Sequence, residues 1–144
     1  KSLNSLYVFN YHMINKSILN QYKHEHDAHI SENEIYDAYK IFFGTLVSEP
    51  RLKIINILRK GKKNVSEIMK ELKMDQTQVS HNLRRLKQCG FVKTEINGKY
   101  RYYSLNQETI KQLMEIIDTH MSYYCIHILH SMKEKMKGGQ HERR

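Results

Sequence analysis

Between Gln76 and Arg85 the chain sets Gln76, Thr77, Gln78, Ser80, His81, Arg84 and Arg85 around Val79, Leu83 and Leu86, which recur at helical spacing. Amide, hydroxyl, imidazole and guanidinium groups on the outward side of one helix suit hydrogen bonds to base edges and phosphates in a DNA major groove. A second set could hold metal. His24, His26 and His29 lie in one short run, while His127, His130 and Glu134 are a turn apart on a later helix. Such nitrogen and oxygen ligands suit zinc, nickel or cobalt. Cys89 and Cys125 are the only thiols, and together they could form a redox switch. Each set also has a plainer reading: a polar linker around His24 to His29, polar flanks of a helix seam, and two small buried cysteines.

The elements that position the first set read clearly. Asn64 caps a short helix with Glu67 in the reciprocal position, and Val65, Ile68, Met69 and Leu72 give it an apolar face. After a Lys73-Met74-Asp75 turn, Asp75 caps the second helix, with Gln78 placed to return the bond, and Gly90 ends it. Two β-prone runs follow, Phe91 to Ile96 and Lys99 to Leu105, separated by Asn97-Gly98, a strong hairpin signal. Lys93, Lys99 and Arg101 make the hairpin cationic, so that it can lie along phosphates or a minor groove. This is the pattern of a winged helix-turn-helix from Asn64 to Leu105.

Around it, Leu3, Leu6, Phe9, Met13, Ile14, Ile18 and Leu19 predict an N-terminal helix over residues 3–22. Ser31 and Glu34 form a capping box for a helix carrying Ile35, Tyr39, Phe42, Phe43 and Leu46. Ser48 and Pro50 open the next, whose core face is Leu52, Ile55, Ile57 and Leu58. From Asn106 as N-cap one long helix is expected to about Lys137, with Ile110, Met114, Ile117, Met121, Tyr124 and Ile128 as a coiled-coil-like seam between two copies. The expected layout is an N-terminal helix and His-rich arm over 1–30, a winged helix-turn-helix domain with a C-terminal dimerisation helix over 31–137, and a basic disordered tail over 138–144.

The 144 residues, 40% hydrophobic, suffice for one core, and the formal net charge of +9 favours a polyanionic partner. Basic residues spread through the motif helices, the hairpin and the tail, with no apolar anchor, so nucleic acid fits better than a membrane. No apolar run approaches a membrane span, and two distant cysteines suit a reducing cytoplasm. His24 to His29 nearly matches the His-x-His-x-Asp-His box of metallo-hydrolases. However, Asp27 and Ala28 stand in the wrong order, the chain is too short for that two-sheet fold, and no nucleophile or phosphate loop accompanies the cluster, so an enzyme is not expected.

From Phe42 to Leu105 the chain resembles the ArsR/SmtB family of repressors. The matching pieces are Glu49-Pro50-Arg51-Leu52-Lys53-Ile54, Val65-Ser66-Glu67-Ile68, Gln76 to Leu83, Leu86 to Val92 and Tyr103-Ser104-Leu105. The resemblance implies a homodimer on an inverted-repeat operator, released by a ligand, with Gln78, Ser80 and His81 at positions the family uses at DNA. It implies dimerisation through the N-terminal helices and residues 107–137. The family's sensing residues are largely missing: the thiolate pair falls on Asn64 and Ser66, and the zinc or nickel site on Gln107, Thr109, His120 and Tyr123. Oxygen groups cannot replace sulfur for a soft metal. Some relatives sense oxidants through paired cysteines, which is where Cys89 and Cys125 would enter. The expected fold is thus mostly α with a small β-hairpin, a winged helix-turn-helix flanked by long dimerisation helices. The rival is a winged helix that docks an acidic protein in a transcription complex and senses nothing.

Overall fold

The computed structural model describes residues 31–138. The expected N-terminal helix, the arm with His24, His26 and His29, and the tail beyond Gly138 lie outside the described residues. The chain divides into two units at Glu49 and Pro50.

In the first unit, helix α1 (Glu32–Leu46) starts as expected: the Ser31 hydroxyl accepts the Glu34 N–H, and the Glu34 carboxylate accepts the Ser31 N–H at 2.7 Å. Ile35 and Thr45 are buried, and the Thr45 hydroxyl donates to Ile41 O at 2.8 Å. Tyr39 and Phe43, which the sequence sets on the same helix, are not packed in the core, being 37% and 58% exposed. Their rings instead form a ladder along the helix, with Tyr36 to Tyr39 centroids 6.5 Å apart and Tyr39 to Phe43 6.2 Å. Helical spacing places residues on one face but does not say what covers that face.

The second unit opens with α2 (Glu49–Leu58), in which Pro50 is tolerated because a first-turn N–H has no helical partner. Its buried side is Ile54, Ile55, Ile57 and Leu58, with Leu52 only half-buried, a shift of the expected face toward Ile54. Next come β1 (Lys63–Asn64), α3 (Val65–Leu72) and α4 (Gln76–Gln88). Strands β2 (Val92–Asn97) and β3 (Tyr100–Leu105) form the hairpin. The sequence suggests two strands, yet the antiparallel sheet has three, in the order β1-β3-β2, with Lys63 opposite Tyr103 and Asn64 opposite Tyr102. A two-residue strand is too short to show alternation. The hairpin turn is also displaced by one residue: Asn97 pairs with Tyr100, and Gly98-Lys99 form the turn. Gly98 at φ 61°, followed by Lys99 outside the left-handed region, fits a type II′ turn, which takes glycine first and matches the strand twist.

Helix α3 packs on α4 and α4 on β2. Ile68, Val79, Leu83, Leu86, Phe91, Val92 and Leu105 join the α2 isoleucines in the buried core, and Ile110 and Met114 are buried with them. The expected single C-terminal helix is in fact interrupted. Asn106 opens a turn rather than a helix, α5 (Ile110–His120) begins after Thr109, a π-helical turn occupies Met121–Cys125, and α6 (Ile126–Gly138) continues. Ile126 N–H reaches back to Met121 O, the wider span that defines a π turn. The seam divides at this point. Ile110, Met114 and half-buried Ile117 serve the chain's own core, whereas Met121, Tyr124 and Ile128 are exposed. Among the described residues no helix is long and apolar enough to cross a membrane.

Lys63 on β1 pairs with Glu71 on α3 at 2.8 Å. The hydrogen bond from Lys63 holds the Glu71 carboxyl below its ordinary range, and the same bond raises the Lys63 ammonium. A carboxyl lowered in the folded state contributes stability that is complete above the ordinary glutamate range and is lost as the pH falls through the lowered value. Glu71→Gln is therefore expected to flatten the acid side of the melting-temperature profile, as measured by thermal melts in a pH series. A profile identical to that of the parent chain would remove Glu71 from the acid response.

Candidate nucleic-acid interface

The interface is built on how α3 and α4 meet. The Asn64 side chain accepts the Glu67 N–H at 3.0 Å and Glu67 returns the bond to Asn64 N–H at 2.7 Å. At the other end of α3, Lys73 takes a left-handed conformation, φ 53°, and its N–H donates to Met69 O. A side chain rarely pays that steric penalty, and here it lets the chain reverse tightly into Asp75. Asp75 Oδ1 accepts the Gln78 N–H at 2.8 Å, which starts α4. The return bond expected from Gln78 is not formed, so the cap acts in one direction. The exit is equally defined: Gly90, at φ 71°, donates to Lys87 O at 3.1 Å and Phe91 N–H to Leu86 O at 2.9 Å, a Schellman pair closed by the fully buried Phe91 ring.

Between these ends, Val79, Leu83 and Leu86 are sealed in the core. Gln76, Thr77, Ser80, His81 and Arg84 line an open depression of about 400 Å³ on the opposite side. Their side chains make no hydrogen bond or ion pair among the described residues. The other two expected reading residues stand apart: Gln78 is exposed outside this depression, and Arg85 is half-buried on the flank. Sequence reasoning left out Asn82. It is buried, and its amide donates to Gln78 O at 2.8 Å, so it satisfies itself within the helix. The signal was available in its position beside Leu83 on the core side.

The hairpin sorts its cations. Lys93 pairs with Glu108 at 3.1 Å, and Lys99 lies 5.2 Å from the Tyr100 ring centroid. Arg101 is exposed, opposite Ile96, with no partner among the described residues. Lys62, which the sequence did not single out, pairs with Glu95 and sits 5.6 Å over the Tyr102 ring, steadying the base of the hairpin.

Among the described residues, the expected sensing side chains do not gather. His127, His130 and Glu134 are exposed on α6, and no group of three or more His, Cys, Asp and Glu among the described residues converges to hold a metal ion. The His120 ring lies tilted against Tyr124, with centroids 4.8 Å apart. Cys89 is half-buried and Cys125 exposed, and no disulfide joins them within one chain. Asn64, at the position of the family's thiolate, is occupied as a helix cap.

The family model described as "Bacterial regulatory protein, arsR family" matches residues 48–94. An uncharacterized HTH-type transcriptional regulator of Methanocaldococcus jannaschii is 30% identical over 86 residues, a match spanning 59% of this chain and 97% of that protein. The chain belongs to the ArsR family. It is a DNA-binding transcriptional regulator of the ArsR type, and its family and relatives are regulators of transcription. A cadmium resistance transcriptional regulatory protein CadC homolog of Staphylococcus aureus is 36% identical over 80 residues, covering 55% of this chain and 65% of that protein. Among solved structures, the homodimeric winged helix-turn-helix DNA-binding domain of a possible ArsR-family regulator from Mycobacterium bovis aligns with TM-score 0.61 at 25% identity, over 67% of this chain and 92% of that one.

Two substitutions at the ends of the α3–α4 turn act in opposite directions. Asp75→Ala removes the α4 cap and is expected to cost about 1 kcal/mol. Lys73→Gly relieves a left-handed side chain worth roughly 1–2 kcal/mol, less the chain entropy of glycine, for a net gain of about 0.5–1 kcal/mol. Urea unfolding of the two variants measures both, and equal signs would contradict the turn geometry.

Proposed function

We propose that this ArsR-type regulator is a homodimeric repressor that reads an inverted-repeat operator in the cytoplasm, with α4 in the major groove and the β2–β3 hairpin as a wing on the adjacent backbone. The observation that carries the reading is the two-sided character of α4. One side is core, and the other presents five polar side chains with no internal partner. Groups of that kind, left unpaired on a rigid helix, are spare hydrogen-bonding capacity for an external ligand. Gln76, Thr77, Ser80, His81 and Arg84 face the base edges, and Gln78 and Arg85 at the flanks face phosphates. Lys99 and Arg101 supply the wing contacts, and Lys93 contributes less because Glu108 offsets its charge. The domain layout expected from the sequence is kept: arm, winged helix-turn-helix with dimerisation helix, and tail. Dimerisation through the N-terminal helices and residues 107–137 is supported by the exposed aromatic ladder of α1 and the exposed apolar side chains of α6.

A second reading, release by a metal ion, is favoured by the similarity to a cadmium-resistance regulator. Its ligands in this chain would be imidazole and carboxylate, from His127, His130 and Glu134 with His24, His26 and His29 across two copies, and the metal zinc, nickel or cobalt.

The test starts with duplexes that the protein selects from a random-sequence pool, followed by fluorescence anisotropy. His81→Ala and Arg84→Ala are each expected to lower affinity for the selected duplex about tenfold or more while sparing unselected DNA. Arg101→Ala is expected to reduce the salt slope by about one, and Lys93→Ala by less. A selected duplex bound equally by the parent chain and the Arg84 variant would refute the groove assignment, and failure to select any duplex would favour the protein-docking alternative. Repeating the titration with chelator and then with zinc, nickel or cobalt tests the second reading, which requires release by one of them.

A further inference from the structure

Asn106 bonds to more of the chain than a residue in an inter-element turn ordinarily does. It follows β3, and its backbone N–H donates to Phe91 O at 2.9 Å. Its side-chain amide donates to Gly90 O at 3.0 Å, and its Oδ1 accepts the Glu108 N–H at 3.2 Å. Its carbonyl accepts two donors from the first turn of α5, Ile110 and Lys111, each at 3.1 Å. Gly90 and Phe91 are the Schellman pair that ends α4, and Ile110 is buried at the head of α5. A single half-buried residue, through its backbone and its side chain together, therefore joins the exit of the groove-facing helix to the start of the C-terminal helix. The other end of α5 also has a contact, because Arg59, just past α2, pairs with Asp118 at 2.7 Å shortly before the π turn. Both ends of α5 thus have contacts with the rest of the unit, and the one at its head leads to α4.

We propose that Asn106 is the positioning residue that fixes α4 to α5, so that a displacement of the C-terminal helix changes the presentation of Gln76 to Arg84 without any contact between Asn106 and DNA. This rests on the groove assignment above for its consequence at DNA, and on the hydrogen bonds alone for the coupling itself. The bond to Gly90 O is the coupling arm. The bond from Glu108 N–H is local, since it folds the turn that leads into α5.

The two roles separate by substitution. In Asn106→Ser the hydroxyl can still accept the Glu108 N–H, as serine does in such turns, but it is too short to reach Gly90 O. Asn106→Ala loses both bonds. Hydrogen exchange on the full chain without DNA tests the coupling: Asn106→Ser is expected to speed exchange at Cys89, Gly90 and Phe91 as well as at Ile110 and Lys111. A change confined to Glu108 through Lys111 would overturn the proposal. Anisotropy then uses a duplex selected by the parent chain from a random pool. The expected result for Asn106→Ser is about a five- to tenfold loss of affinity for the selected duplex, the scale of one net hydrogen bond, with unselected DNA and the salt slope within about twofold. Parallel losses on both duplexes would mark Asn106 as merely structural. If the parent chain selects no duplex, the groove assignment fails while the exchange pattern still decides the coupling.

Discussion

A helix that reads a ligand with one side must be held entirely by the other, and that division organises the structure around α4. Val79, Leu83 and Leu86 are completely buried, and burying three such side chains stabilises the helix by several kcal/mol, at about 1.5–3 kcal/mol each. That is ample to hold a helix whose exposed side gains nothing from internal contacts. The cap at Asp75 and the Schellman exit at Gly90 set where the helix begins and ends, so its five outward side chains keep a fixed register against whatever they meet. The polar groups on that side have no partners among the described residues, and in a folded chain such groups are tolerated because water satisfies them.

The same logic separates cations that hold the fold from cations left free. Lys62, Lys63, Lys93 and Arg59 are engaged with carboxylates, and three of these pairs bind the hairpin, the short strand β1 and α5 to their neighbours. Such exposed pairs contribute at most about 1 kcal/mol each, so they orient more than they stabilise. Arg84 and Arg101 are left free of ion pairs among the described residues. A net charge of +9 says that a polyanion is welcome but not where, and Arg84 and Arg101 are two of several cations without an ion pair among the described residues.

Much of this was legible in the sequence because it is local. Caps, the α3–α4 turn, the buried stripe of α4 and the glycine at its exit are written within a few residues of where they act. The misreadings share a different cause, which is that they depend on partners distant in the chain. The strand at Lys63-Asn64 exists only because β3 offers it an edge, and Asn106 reads as a simple N-cap until its bond to Gly90 is seen. The seam from Ile110 to Ile128 has one period in sequence, yet the core claims its first half and leaves the second exposed. Periodicity shows that a face exists but cannot say which neighbour covers it.

The π turn at Met121–Cys125 carries a consequence for how such a chain can diversify. A π turn accommodates one residue more than the α-helical turn it replaces, and one residue of helix corresponds to a rotation of about 100°. The face presented beyond Cys125 is therefore offset from the one that an uninterrupted α-helix would present. The winged helix-turn-helix ends on one side of this joint, and the exposed apolar and histidine-bearing surface of α6 lies on the other. Gain or loss of a single residue in the joint would re-aim the distal helix while leaving α4, the hairpin and their supports untouched. The two surfaces are thereby placed on separately adjustable parts of one polypeptide.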